Sequence, residues 1–375
     1  MRRARSLFLA STILTASAVT AHADVNVVAS IKPVHSLVAA VMDGVGDPGL
    51  IMDGAGSPHN YALKPSQAQM LESADIVFWI GHELEAFLEK PLETIAANAR
   101  SVELIDAHDL IKLPFREGGA FDDHGHDEAA GHDDHGHEKQ ADAGHHDDDH
   151  DDHDHEKAEA GHDDHGHDDH AHEKAEADHD DHGHDNHGHE QAEAGHEGHD
   201  HGAFDSHIWL DPVNAKAMVE EINEALAEAD PANAAQYTAN AKAVMTRLDT
   251  LVTEVSAELA PVHDKGFIVF HDAYQYFEKR FDVTASGSIT VSPEVLPGAE
   301  RITEIRAKVK ELGAACVFAE PQFEPKLVTT VTEGTRAKSG VIDPLGAALD
   351  AGPEQYFDTI RTMATSIRTC LSEAS

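Results

Sequence analysis

Phe267-Ile268-Val269-Phe270-His271 sets four consecutive apolar residues directly before a histidine. A short apolar run without polar alternation reads as a strand buried on both faces, and such strands belong to parallel sheets covered by helices. Downstream the rhythm continues with a short helix to residue 280, strands at 283–285, 316–319 and 341–343, and helices at 298–312, 325–337 and 353–371. Upstream it holds as well, with strands at 25–29, 50–52, 76–80 and 101–105 and helices at 34–42, 66–73 and 83–97. Strand and helix in alternation predict an α/β fold built on parallel sheets.

Between these two sets, Asp211-Pro212 opens a helix over 213–229 and Asp230-Pro231 opens a second. Aspartate before proline suits an N-cap followed by the first helical position. Residues 232–259 contain no glycine or proline, which predicts a helix of roughly 40 Å. So long a helix serves as a strut between two parallel-sheet α/β lobes that leave a cleft. The expected layout is an N-terminal lobe from 24–121 and 202–230, a linking helix at 231–260 and a C-terminal lobe at 261–375.

Residues 122–201 interrupt the first lobe. These eighty residues include no Val, Ile, Leu, Met, Phe, Tyr, Trp or Cys, yet carry 23 of the 31 histidines and 30 of the 70 acidic residues. Ordering a chain costs roughly 1–2 kcal/mol per residue, and nothing here buries apolar surface to offset it, so disorder is expected. His-Asp-Asp-His-Gly-His recurs at 132–137 and 162–167, and a His-Glu pair followed by Lys or Gln stands at His137, His155, His172 and His189. Units without an apolar face cannot stack as a solenoid. A charged spacer would need only Asp and Glu, whereas imidazole is a ligand for zinc, copper and nickel. Secondary metal binding is therefore expected at residues such as His132, His135, His137, His162, His165, His167, His182 and His184.

Arg2, Arg3 and Arg5, the apolar stretch 7–19 and Ala21-His22-Ala23 predict a secretory signal cleaved after Ala23. About 13 apolar residues fall short of the roughly 20 that a spanning helix needs. An exported, soluble protein is the expectation. Cys316 and Cys370 are the only cysteines. In an exported chain they predict one disulfide, two buried free thiols being the alternative. Net charge is −43, and the insert's 30 acidic residues and 3 lysines account for −27 of it, leaving −16 elsewhere. Nucleic acid is excluded as a partner, because phosphate binding needs a basic face.

In open parallel sheets ligands bind beyond the carboxyl ends of the strands. Four side chains stand at such places: His59 in Ser57-Pro58-His59-Asn60-Tyr61, His207 in His207-Ile208-Trp209-Leu210-Asp211-Pro212, His271 after the run quoted above, and Asp343 in Ile342-Asp343-Pro344-Leu345-Gly346. Singly each is a weak signal, since a lone loop histidine is commonly solvated. Together, three neutral imidazoles and a carboxylate suit tetrahedral Zn2+ better than the oxygen-rich shell of Mn2+, although affinity order alone does not exclude Cu2+ or Ni2+. Asp205, Asp211 and Asp272 are candidates to hold the outer ring nitrogens, with Asp211 better suited to capping its helix. Trp209, Phe270 and Tyr274 are expected to pack around the site. His35, His82, His108 and His263 are expected to be structural or surface residues.

Together with Lys64-Pro65-Ser66, His271-Asp272-Ala273-Tyr274, Gly287-Ser288-Ile289-Thr290, Pro293-Glu294 and Ala319-Glu320-Pro321-Gln322-Phe323, these motifs appear in one order along the chain. The whole mature chain thereby resembles the periplasmic zinc-binding proteins of ZnuA type, the solute receptors of zinc ABC importers. The resemblance implies two α/β lobes with one linking helix, His59, His207 and His271 as ligands, and a fourth position at Asp343 shared with water. It also implies a His/Asp-rich loop near the cleft, a Cys316 to Cys370 disulfide, and delivery of Zn2+ by a monomer to an inner-membrane ABC permease. Some members carry an acidic residue directly before the first histidine, where this chain has Pro58. Two other classes stay open. One is a zinc buffer or chaperone without transport. The other is a zinc metalloenzyme, because three histidines and an open position also describe catalytic zinc. Against the enzyme, no HExxH pattern and no Ser or Cys nucleophile pattern is present.

Overall fold

The computed structural model describes residues 25–116, 204–290, 293, 297–311, 313 and 315–373. The expected signal at 1–23 and the insert at 122–201, with its eight named histidines, lie outside the described residues. In the first part of the chain Val27–Ala29 (β1), Gly49–Leu50 (β2), Ile76–Trp79 (β3) and Arg100–Glu103 (β4) make a parallel sheet in the order β2-β1-β3-β4. Lys32–Val41 (α1), Pro65–Glu72 (α2) and Ala86–Thr94 (α3) connect these strands. Pro212–Ala229 (α4) and Ala234–Leu259 (α5) follow. Asp211 caps α4 as expected, its Oδ1 accepting from Val213 N at 2.8 Å.

The second sheet uses Phe267–His271 (β5), Ala285–Thr290 (β6), Cys316–Ala319 (β7) and Lys338–Val341 (β8), again all parallel, in the order β6-β5-β7-β8. Gln275–Phe281 (α6), Ala299–Glu311 (α7) and Lys326–Thr332 (α8) cross between them, and Gln355–Glu373 (α9) closes the chain. Both sheets share one permutation, so each has a switch point, between β1 and β3 and between β5 and β7, where the connections depart to opposite sides. Along β5 the side chains alternate as a two-sided strand requires. Phe267 and Val269 join the main core with Phe318, whereas Ile268 and Phe270 join a second core with Ile289 and Val317.

Helix α5 spans 26 residues, about 39 Å at 1.5 Å per residue. Its buried positions Tyr237, Ala241, Val244, Leu248, Leu251, Val255 and Leu259 fall three or four apart, a single apolar stripe. That stripe packs on α4 and α9, and α9 also packs on α1. Tyr356 N donates to Ser36 Oγ at 2.9 Å and Tyr356 Oη to Trp209 O at 2.7 Å. The last helix thus returns to the first lobe, and one core runs through both sheets. Cys316 and Cys370 are disulfide-bonded, tying β7 to α9.

Two expected strands are displaced. Residues Ile208–Leu210 form a 3-10 turn ahead of α4. The strand expected at 283–285 is Ala285–Thr290, since Asp282 at φ 53° ends α6 in the left-handed conformation and Val283 and Thr284 make the link. The strand expected at 341–343 is Lys338–Val341, an edge strand whose exposed residues carry no apolar run. Among the described residues no helix is long and apolar enough to cross a membrane.

Candidate metal centre

Of the three sequence-identified histidines, His271 alone stands at the carboxyl end of a strand, as the strand-end rule requires. His271 ends β5, and His59 lies in a 3-10 turn, Pro58–Asn60, that follows β2. His207 instead precedes the 3-10 turn Ile208–Leu210, at its N-cap. The three rings meet. Nε2 of His207 is 3.4 Å from Nε2 of His59 and 3.4 Å from Nε2 of His271. One nitrogen from each ring lies within 4.8 Å of both others. His207 and His271 are each 4% exposed, while His59 is half-buried and forms the open side.

Carboxylates fix two of the rings. Asp205 Oδ1 lies 2.6 Å from His207 Nδ1 and also accepts from the His207 backbone N at 3.0 Å. Glu320 Oε1 lies 2.7 Å from His271 Nδ1. A ring nitrogen facing a carboxylate at that distance carries the proton, which leaves the lone pair on Nε2 of both rings. Two lone pairs 3.4 Å apart repel each other unless a proton or a metal cation sits between them. A tetrahedral zinc with Zn–N of about 2.0–2.1 Å has N–N edges of about 3.3–3.4 Å. The spacing and the tautomers together describe a site shaped for such an ion.

Burial lowers the proton affinity of His271, yet the charge and hydrogen bond of Glu320 outweigh it and hold the pKa above the ordinary value of 6.5. Tyr274, buried and facing the negative charges of Glu320 and Asp343, is held well above the usual phenol range. The surrounding apolar packing is as expected from sequence. Trp209 packs on His207 at 5.3 Å between centroids, Tyr274 on His271 at 6.2 Å, and Phe270 stacks at 4.7 Å on Phe323, which faces His271. The cavity between the rings is about 10 Å3, room for one ion or one water.

Asp343 does not join the three histidines within 4.8 Å. Its Oδ1 accepts from Gln322 Nε2 at 2.8 Å and Leu345 N at 3.1 Å, and its Oδ2 accepts from Ala347 N at 2.6 Å. It organises the turn after β8. That turn needs Gly346, at φ +62°, because a Cβ there would lie 2.2 Å from Thr359 Oγ1. Of the acidic candidates, Asp205 orients the His207 ring, Asp211 caps α4 and pairs with Arg280, and Asp272 binds Arg116. His35 is buried with Nε2 3.0 Å from Pro48 O, His82 pairs with Glu83 at 3.4 Å, and His108 and His263 are exposed.

Glu320 was not singled out by the sequence reading. The signal was available in strand register. Phe267 pairs with Cys316 and Ile268 with Val317, so four residues on, His271 and Glu320 leave neighbouring strands at the same level. An acid at that offset from a candidate ligand is the residue to expect behind it.

The family model described as zinc-uptake complex component A, periplasmic (ZnuA), matches residues 27–370. The chain is 52% identical over 375 residues to the high-affinity zinc uptake system protein ZnuA of Brucella suis biovar 1 (strain 1330), covering all of both chains. It is 33% identical over 367 residues to the protein of the same name from Yersinia pestis, covering 98% of this chain and 97% of the other. Among solved structures, a crystal structure of ZnuA superposes with a TM-score of 0.63 at 20% identity, covering 93% of this chain and 99% of that one. The periplasmic zinc binding protein TroA from Treponema pallidum gives 0.64 at 16% identity, with 93% and 99% covered. At those identities the structures speak for the fold.

Proposed function

Because the chain belongs to the ZnuA family of periplasmic zinc-uptake components, a family of solute receptors and not of enzymes, we propose that it captures one Zn2+ between His59, His207 and His271 in the periplasm and delivers it to an inner-membrane ABC permease. The observation that carries this is the pair of 3.4 Å Nε2 to Nε2 distances, which match the edges of a zinc tetrahedron. Three histidines leave the fourth position to water, since Asp343 lies outside the three-histidine group and bonds Gln322, Leu345 and Ala347 instead. Pro58 stands where an acidic neighbour could otherwise contribute.

The insert at 122–201, with its 23 histidines and 30 acidic residues, adds weaker, secondary zinc binding. It serves as a scavenger or sensor for the cleft. The test is a competition titration against a chelator of known zinc affinity. The full chain should take one tightly held Zn2+ and several weaker ones, and His59→Ala should remove only the tight class. A tight class that survives in His59→Ala, His207→Ala and His271→Ala alike would overturn the assignment.

A further inference from the structure

The edge of the ligand triangle between His207 and His271 joins the two lobes, and it is 3.4 Å long. We propose that Arg116 is a positioning residue that fixes this edge and so sets how long a captured dication stays; the proposal rests on the zinc reading of the three histidines. Arg116 is the last residue described before the insert. Its Nε donates to both oxygens of Asp272 at 3.0 Å, its Nη1 to Glu278 Oε2 at 3.0 Å and its Nη2 to Glu278 Oε1 at 2.9 Å, with a further contact from Nη2 to Asp272 Oδ1. One guanidinium thus fills two carboxylates on the opposite lobe.

Asp272 follows His271 directly, so this grip acts on the backbone that carries the ligand. Glu278 lies on α6 and also accepts from Ala285 N at 2.9 Å, which brings β6 into the same clamp. On the other side, the segment leading to Arg116 is bonded to the segment that orients His207. Leu113 O accepts from Asp205 N at 2.8 Å, and Asp205 Oδ1 holds His207 Nδ1. Tyr276 Oη accepts from Leu113 N at 2.9 Å and donates to Asp205 O at 2.8 Å, while Gln275 Nε2 donates to Asp205 Oδ2 at 2.7 Å. Every step from His207 to His271 is a direct bond, and Arg116 supplies the only ionic step among those named.

The side chains of Asp272 and Glu278 are 8% and 7% exposed. Removing the guanidinium leaves two buried carboxylates without their cation, a strongly unfavourable arrangement relieved by moving one of them away. Glu278 keeps its bond from Ala285 N, so the shift falls on Asp272, with His271 attached. Lysine cannot substitute, because a point charge with three rotating donors does not reproduce a planar fork serving four oxygens. Affinity differences within one site appear mainly in the off-rate, so loss of the clamp should speed zinc release more than it slows capture.

The test uses the full chain loaded with one equivalent of metal, with His271→Ala as the background for metal held elsewhere. Chelator capture after rapid mixing reads the zinc dissociation rate, and the visible bands of Co2+ read the ligand geometry. Arg116→Ala should accelerate release from the cleft by about ten-fold or more, the size expected for a group that orients a ligand, and should weaken the tetrahedral Co2+ bands. Arg116→Lys should restore less than half of that loss. Unchanged release and an unchanged Co2+ spectrum in Arg116→Ala, beside a lost cleft signal in His271→Ala, would overturn the proposal. Full rescue by Arg116→Lys would overturn it too. If Arg116→Ala does not fold, release from Arg116→Lys at the wild-type rate decides against it. A cleft signal that persists in His271→Ala would instead sink the zinc reading and this proposal with it.

Discussion

Glu320 Oε1 stands 2.7 Å from Nδ1 of His271, at the level where β5 and β7 both end. The carboxylate holds the ring in one tautomer and raises the basicity of the nitrogen that faces the cleft. Replacing an outer partner of this kind typically costs about 10–100-fold in metal affinity. Glu320→Gln should lower zinc affinity within that range while leaving the thermal midpoint of metal-free protein nearly unchanged at pH 8.5, where His271 is neutral. Chelator competition and differential scanning calorimetry measure the two quantities.

With His271 as the proposed zinc ligand, protons compete with the ion for the same nitrogen. Burial lowers the pKa of His271, but Glu320 overrides it and the folded value lies above 6.5. Zinc affinity should therefore begin to fall at a pH above 6.5 on acidification, and in Glu320→Gln the onset should move to lower pH. The sign for stability is opposite in the metal-free protein. A raised folded pKa contributes stability that is fully present below the unfolded value and is lost as pH rises through the folded one. Thermal midpoints from pH 5.5 to 8.5 should show the zinc-induced shift growing as the metal-free protein loses this contribution.

Glu85 offers a test away from the cleft. It is fully buried, accepts from Ile80 N at 2.7 Å and Gly81 N at 3.3 Å, and burial pushes its pKa up to about 7. The folded state then keeps the proton that the unfolded chain releases near 4.5, so stability falls as pH rises from there to about 7 and levels off above it. Glu85→Gln keeps the oxygen acceptor without the charge. It should stabilise the protein by up to about 3 kcal/mol at pH 8 and by almost nothing at pH 4.5, on a scale of about 1.4 kcal/mol per pKa unit. Urea denaturation at the two pH values checks this.

The β5 run and its histidine were legible because a strand buried on both faces leaves four apolar letters in a row. Helix α5 was legible through its length and the missing glycine and proline. His59, His207 and His271 were legible through position and motif together. What the sequence hid was set by tertiary pairing. Ser286, Gly287 and Ser288 have weak strand preference, yet β6 forms because it pairs with β5 on the open side of the sheet. Lys338 to Val341 form β8 by pairing with β7 alone. The engagement of Asp343 by Gln322 and two backbone amides depends on how the turn after β8 closes, which no local pattern records.

Asp343→Asn separates a ligand from a loop organiser. If Asp343 acts through the turn, the amide oxygen retains part of the bonding to Leu345 N and Ala347 N. The variant should then lose about 1–2 kcal/mol of stability, the scale for weakened hydrogen bonds to a charged acceptor. Its zinc affinity should change by less than about ten-fold, with unaltered Co2+ bands. A larger loss of affinity together with an altered Co2+ spectrum would place Asp343 on the metal.

Reduction should destabilise without emptying the cleft. The disulfide between Cys316 and Cys370 closes a sequence separation of 54 residues, for which chain entropy gives about 4 kcal/mol. Cys316 begins β7 and Glu320 follows the end of that strand, so the bond anchors the strand at the end remote from the site. Cys316→Ala/Cys370→Ala should melt markedly lower in urea but hold zinc at nearly wild-type affinity under native conditions. Loss of tight zinc in a variant that remains folded by circular dichroism would show that the crosslink also shapes the ligand triangle.

Deleting residues 122–201 should leave the tight site intact. The flanking segments are already joined by described residues, with Asp205 N donating to Leu113 O at 2.8 Å. Residues 117–121 and 202–203 then suffice as a short connection, and closing a shorter loop costs less entropy than closing the long one. The shortened protein should bind a single Zn2+ as tightly as the full chain and lose every weaker ion. Calorimetric titration of both proteins, each also with His59→Ala, separates the classes. A shortened protein that has lost the tight class would mean the insert supplies ligands to the cleft, whereas a full chain showing only one ion would deprive its histidines of the secondary role.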